Sequence, residues 1–176
     1  MGWNNMAAGL TYTPITSTTL GSAASYIEFT SISGSYTDLI LVINRGSTAN
    51  DAGGTLQFNS DTGSNYSSTY LQGNGSTARS GREGVHTYIN TGSYITTGTS
   101  ITTNTIVHLQ NYSNTTTYKT VLYRTNNAGT GATYLGTEAG VGLWRSTSAI
   151  TSVKYNCDGS TFLSGTTATL YGITAA

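Results

Sequence analysis

The residues able to do chemistry are few and scattered. His86 and His108 are the two histidines. Each sits in an alternating strand pattern, and neither has a His, a Cys or a paired carboxylate at metal-ligand spacing. A nucleophilic triad needs a Ser or Cys with a His and an acid. Serine is too frequent here to mark one, and no Gly-x-Ser-x-Gly elbow occurs. Cys157 is the one cysteine, which leaves no internal disulfide and no cysteine-based metal site. Its neighbours Tyr155, Asn156 and Asp158 provide no cation to activate a thiolate, so it reads as a small filler on a strand. The acidic residues number seven. Asp51, Asp61 and Asp158 are placed like turn residues, and Glu28, Asp38, Glu83 and Glu138 are dispersed. A glycosidase needs two converging carboxylates, and the sequence brings no two together. The expectation is a protein that is not an enzyme, with no catalytic residue, cofactor or metal.

Two polar stretches admit a binding reading. Asn59-Ser60-Asp61-Thr62-Gly63-Ser64-Asn65 carries oxygen ligands of the kind that hold calcium. It lacks EF-hand spacing, and Asx-turn chemistry accounts for the same residues. Gly73 to Gly84 reads as the longest loop without apolar residues. It carries Arg79 and Arg82, which either face a partner's acidic group or are simply solvated. Asn-x-Ser/Thr sequons at Asn65, Asn74, Asn111 and Asn114 are expected by chance in so hydroxyl-rich a chain. Residues 1–9 read as a polar arm with Trp3 and Met6. Two readings stay open there: a frayed terminus, or an arm that docks on a neighbouring subunit through Trp3.

The elements that position these residues are strands. Ser and Thr make up roughly a third of the 176 residues, but 13 Tyr, 3 Phe and 2 Trp argue against disorder. Thr, Tyr, Val and Ile fit a pleated, half-buried surface, and charged residues are only 8%. Leu10–Thr13 alternates and is expected to stop at Pro14. In 25–32, Ile27 and Phe29 share one face, opposite Tyr26, Glu28 and Thr30. The run Leu39–Ile43 is apolar on both faces, as in the middle of a sheet covered on both sides. Further strands are expected at 55–58, 66–72, 85–91, 105–112, 118–124, 134–145, 150–156 and 168–173. Gly136, Gly140 and Gly142 signal bulges or close backbone contacts. About ten short strands and no crossover helix predict an all-β fold, an antiparallel β-sandwich of jelly-roll type. Residues 1–15 form the arm and first strand, and 16–176 form one sandwich domain.

Seven basic residues balance seven acidic ones. That balance gives no electrostatic footprint for nucleic acid or an anionic membrane. No apolar run approaches the roughly 20 residues of a membrane helix. The N-terminus carries no secretory pattern. A surface solvated by hydroxyls and amides suits a neutral polar partner or an assembled state with weak charge repulsion.

One resemblance adds to this. Tyr36 and Leu39 lead to Leu56, Phe58, Asn59, Asp61, Gly63, Asn65 and Tyr66, and the chain closes on Leu170–Ile173. This pattern resembles small β-rich virion proteins of tailed bacteriophages and covers nearly all of the chain after residue 15. Members of that family occur on heads and in tails. The resemblance implies a non-enzymatic structural role on the virion, with other virion proteins as partners and no catalytic residues to carry over. The first expectation is an oligomeric capsid decoration protein, taken as a trimer from the habit of virion proteins. The alternative is a tail-fibre or tail-tip module that recognises host surface glycans through Tyr-rich loops and amides. A polysaccharide-active enzyme is the third.

Overall fold

The computed structural model describes residues 11–49, 53–92, 95, 98–128 and 136–174. Trp3, Met6 and Asp51 lie outside the described residues. Twelve strands and no helix are present among those described. They are β1 (Tyr12–Thr19), β2 (Tyr26–Phe29), β3 (Asp38–Arg45), β4 (Gly54–Phe58), β5 (Tyr66–Gly73) and β6 (Ala78–His86). The second half adds β7 (Ile89–Asn90), β8 (Thr102–Leu109), β9 (Lys119–Ala128), β10 (Thr137–Trp144), β11 (Val153–Cys157) and β12 (Thr167–Ile173).

The strands form two antiparallel sheets. The large one has eight strands in the order β1-β12-β3-β8-β9-β10-β5-β6, and the small one has four in the order β2-β11-β4-β7. Setting aside the hairpins β5–β6 and β9–β10 leaves β1-β12-β3-β8 facing β2-β11-β4-β7. That is the order of an eight-stranded jelly roll, with two Greek keys wound on each other. The two hairpins are insertions. They pair with each other through β10 and β5, and they widen the large sheet beyond β8.

The core lies between the sheets and is filled by period-2 alternation. Leu39, Leu41 and Ile43 of β3 point inward, as do Val107 and Leu109 of β8 and Leu170 of β12. The small sheet answers with Ile27, Phe29, Leu56, Phe58, Val153 and Tyr155. The central strand departs from its expectation. Only one of its faces is covered, and Ile40 and Val42 on the other are half-buried. A continuous apolar run shows that both faces avoid water, not what covers the second.

Three boundaries also move. β1 does not stop at Pro14 but runs through it. The strand lies at the sheet edge, where a missing N–H costs no ladder bond, and the register shifts between Pro14 and Thr16. The expected loop from Gly73 to Gly84 is instead largely β6, also an edge strand. Its residues are mostly exposed, with Arg79, Arg82 and Glu83 among them, so no apolar alternation marks it. The strand expected at 85–91 is split between the end of β6 and the two-residue β7, with Thr87 and Tyr88 between them, and the strand count rises from about ten to twelve.

The glycines of β10 make close contacts. A Cβ at Gly142 would lie 2.6 Å from Ile89 Cγ2 and 2.8 Å from Val121 Cγ2. Gly140 has the Tyr123 ring over it, and Gly172 of β12 has the Tyr36 ring. Aromatic and branched side chains from neighbouring segments therefore lie directly on glycine backbone in this sheet.

Candidate functional site

The polar loop after β4 is where the sequence concentrates its most specific motif. Asn59 and Ser60 take left-handed backbone with φ of 51° and 56°, a region that Asn tolerates better than most residues. The Asn59 side chain then bridges to the segment that leads into β11, the strand paired with β4. Its Oδ1 accepts from the backbone N–H of Thr151 (2.8 Å) and Ser152 (3.1 Å), and its Nδ2 donates to Ala149 O (2.7 Å). The Asp61 carboxylate is just as fully engaged. Oδ1 accepts from Gly63 N at 2.8 Å, and Oδ2 accepts from Asn65 Nδ2 at 2.9 Å and Trp144 Nε1 at 2.7 Å. The Tyr66 hydroxyl accepts from Phe58 N and donates to Asp61 O, both at 3.1 Å.

Each motif residue thus ties one element to another. Asn59 joins the end of β4 to the segment before β11, and Asp61 reaches Trp144 at the end of β10. Tyr66 closes the loop on itself. Beneath, the Phe58, Tyr66 and Trp144 rings pack with centroids 5.6–6.3 Å apart. Arg145 finishes the clip: its backbone N–H donates to Asn65 O, and its guanidinium donates to Tyr66 O, Ser67 Oγ and Gly84 O. Asx-turn chemistry accounts for the donor set. N–H groups take three of the roughly four acceptor sites of the Asp61 carboxylate. Among the described residues, no group of three or more His, Cys, Asp or Glu could hold a metal ion.

The electrostatics follow from that wiring. Desolvation acts to raise the Asp61 pKa, but the hydrogen bonds from Trp144, Asn65 and Gly63 together outweigh it and hold the carboxyl below its ordinary value of 3.8. Burial pushes the Tyr66 phenol up to about 12, with the Phe58 hydrogen bond opposing and the Asp61 charge adding. A depressed acid stabilises the fold above its unfolded pKa, and that contribution is lost as pH falls through the folded value. A raised phenol stabilises below its unfolded pKa of 10.0, and that contribution is lost as pH climbs towards about 12. Thermal stability is expected to fall on both limbs, below about pH 4 and above about pH 10. Asp61→Asn is expected to cost about 1–3 kcal/mol at neutral pH and to flatten the acid limb. Melting curves of both proteins across pH check this, and an unchanged acid limb in the variant would remove Asp61 as its source.

The other candidates do not converge on one site. Arg79 and Arg82 both lie on β6, but on opposite faces. Arg79 shares the inner-face row with Gln72 and Glu138, whereas Arg82 pairs with Thr69 on the outer face. They are therefore not a two-arginine loop facing one partner. His86 packs against the Tyr88 ring, with centroids 5.5 Å apart. His108 Nε2 lies 2.9 Å from Asp38 Oδ2, and Asp38 Oδ1 accepts from Asn111 N. Cys157 is buried at the end of β11, where desolvation raises its thiol pKa; its Sγ lies 3.7 Å from Ser47 Oγ. The sequon asparagines Asn74 and Asn114 cap turns: Asn74 Oδ1 accepts from Ser76 N and Thr77 N, and Asn114 Oδ1 accepts from Thr116 N and Thr117 N.

Three buried charged side chains escaped the sequence reading. Arg45 is fully buried, donates to Gly53 O at 3.1 Å and lies 5.7 Å from the Tyr155 ring centroid. Lys119 donates to Thr117 O and Thr147 O, and burial lowers its pKa. Glu138 accepts from the Tyr123 hydroxyl at 3.0 Å. Inward parity was the available signal, since Lys119, Val121 and Tyr123 alternate on one face of β9.

Fold and site together define an all-β sandwich whose signature loop is a structural clip. No protein-family model matches the chain, and no curated protein matches it in sequence. Among solved structures, a protein of unknown function from Shewanella oneidensis MR-1 is similar at 10% identity. The match covers 100% of this chain and 84% of that one, with a TM-score of 0.22. A score that low carries no argument about fold or function.

Proposed function

We propose that this protein is a non-enzymatic structural component of a tailed-phage virion, an oligomeric decoration of the capsid surface. One observation carries the reading. Of the motif residues behind the resemblance to phage virion proteins, Asn59 and Asp61 are held by hydrogen bonds to distant segments, and Asn65 and Tyr66 by hydrogen bonds that close the loop. Such a motif marks an architecture and not a reaction. The near absence of net charge supports the same reading, because many neutral copies crowd on one surface with little repulsion. Immunogold labelling of intact particles of the phage that encodes the chain tests it. Label over the capsid is the expected result. Label confined to the tail overturns the capsid assignment in favour of the tail module, and a chain missing from purified particles overturns the virion role altogether.

A further inference from the structure

The outer face of the eight-stranded sheet is built like an interface. Its side chains follow from the register. One row across the sheet reads Tyr171, Ile40, His108, Leu122, Val141 and Thr69. The next reads Thr169, Val42, Ile106, Arg124, Ala139 and Leu71. Large apolar side chains are left in water here: Leu71 is 68% exposed, Val141 45% and Leu122 44%. Two shallow grooves run between them, of about 270 Å³ around Ile106 and Leu122 and about 410 Å³ around Leu71 and Val141. Beyond this apolar centre the third row is wholly polar: Thr167, Asn44, Asn104, Asn126 and Thr137. An apolar centre with an amide and hydroxyl border is the anatomy of a protein interface.

We propose that two copies of this chain associate through these outer faces, sheet on sheet. Three observations favour a second copy as the occupant. The first is area. Eight strands at about 4.8 Å spacing and about 26 Å length present a face of roughly 1,000 Å². A stable interface takes about 800 Å² from each partner. The second is charge. The face carries Asp38, bonded to His108 and Asn111, on the β3 side and Arg124 and Arg82 on the β9 and β6 side. A two-fold axis between the sheets and parallel to the strands sets the β3 side of one copy over the β9–β6 side of the other. The third is the closing of other routes. The edge strand β1 carries Pro14 and a register shift, and the edge strand β6 carries Arg79, Arg82 and Glu83. Both devices discourage edge-to-edge pairing. Identical twisted sheets pack face to face with strands about 30° apart, and β-branched and leucine side chains interdigitate well there.

The inserted hairpins give this arrangement its purpose. Leu71, Leu122 and Val141 stand on β5, β9 and β10, strands that the eight-stranded jelly roll does not require. The insertions widen the sheet and supply the apolar centre. The association is a two-fold pair, not the trimer that virion habit suggested, and it does not rest on the virion reading, because it is a property of the isolated chain.

Sedimentation velocity of the purified full chain across a wide concentration range tests the pair. The wild type is expected to sediment as a dimer that dissociates on dilution. Leu122→Asp and Val141→Asp replace exposed side chains and leave the melting temperature near wild type. Each is expected to weaken association by at least about thirtyfold, the scale of an interface hot spot. Arg124→Glu is expected to weaken it less and to remove part of its salt sensitivity. Tyr26→Asp, on the outer face of the small sheet, should leave it unchanged. A wild type that stays monomeric throughout, a trimer, or a dimer indifferent to Leu122→Asp would each overturn the proposal. Capsid labelling is read separately, so either result can fail without the other.

Discussion

Tyr66→Ala will lower the melting temperature by roughly 6–20 °C, from a loss of about 3–5 kcal/mol in a domain of this size. Two contributions add at this position. The ring is fully buried and packs with Phe58 and Trp144, with centroids 6.2 and 6.3 Å away. Its hydroxyl serves Phe58 N and Asp61 O at once. Tyr66→Phe separates the two. It keeps the ring and strips the hydroxyl, leaving a buried N–H without its acceptor at a cost of about 1–3 kcal/mol. Denaturant titrations of both variants check the division. If Tyr66→Phe cost as much as Tyr66→Ala, packing would not be the larger part. If it cost nothing, the hydroxyl would be idle and the clip would be only a hydrophobic contact.

Gly142→Val is the second large effect, expected near the top of the range for overpacked cores, about 3 kcal/mol. The first added carbon would already sit 2.6 and 2.7 Å from the Ile89 side chain and 2.8 Å from Val121. Both neighbours are fully buried, so neither yields without displacing others. The loss should be relieved by Ile89→Ala in the same molecule, because the smaller side chain vacates the contested space. A double-mutant cycle followed by thermal melting measures that coupling. Additive losses would mean that the strain lies in the β10 backbone and not in the contact.

These two positions show how legibility varied along the chain. Tyr66 stood out early, within an Asn-x-Asp-x-Gly-x-Asn-Tyr motif, but the motif's meaning did not. The same oxygens serve calcium or an Asx turn, and the choice depends on whether N–H donors reach them. Two of the deciding donors, Trp144 and Thr151, lie 83 and 92 residues away from their acceptors in sequence. Gly142 was legible as a close contact, and Ile89 as part of a strand, but only the packed sheets set the Ile89 side chain against Gly142. Arg79 and Arg82 looked like one loop, because an exposed edge strand has no apolar alternation to announce it.

What the amino-acid order determined alone is what depends on neighbours along the chain. Alternation of period two made strands of 26–29 and 153–157 and chose the inward side chains, because adjacent residues of a strand point to opposite faces. Asn, Asp and Gly made the turns, because their side chains or missing Cβ satisfy local backbone. The tertiary structure decided everything that needs two distant segments at once. It set the strand order, the pairing of the inserted hairpins through β10 and β5, and the passage of β1 through Pro14 at an edge. It also decided that Ile40 and Val42 face away from the core while Lys119 and Glu138 face into it. Hydropathy records that a side chain prefers to leave water. Only the assembled sheets determine which side chains do.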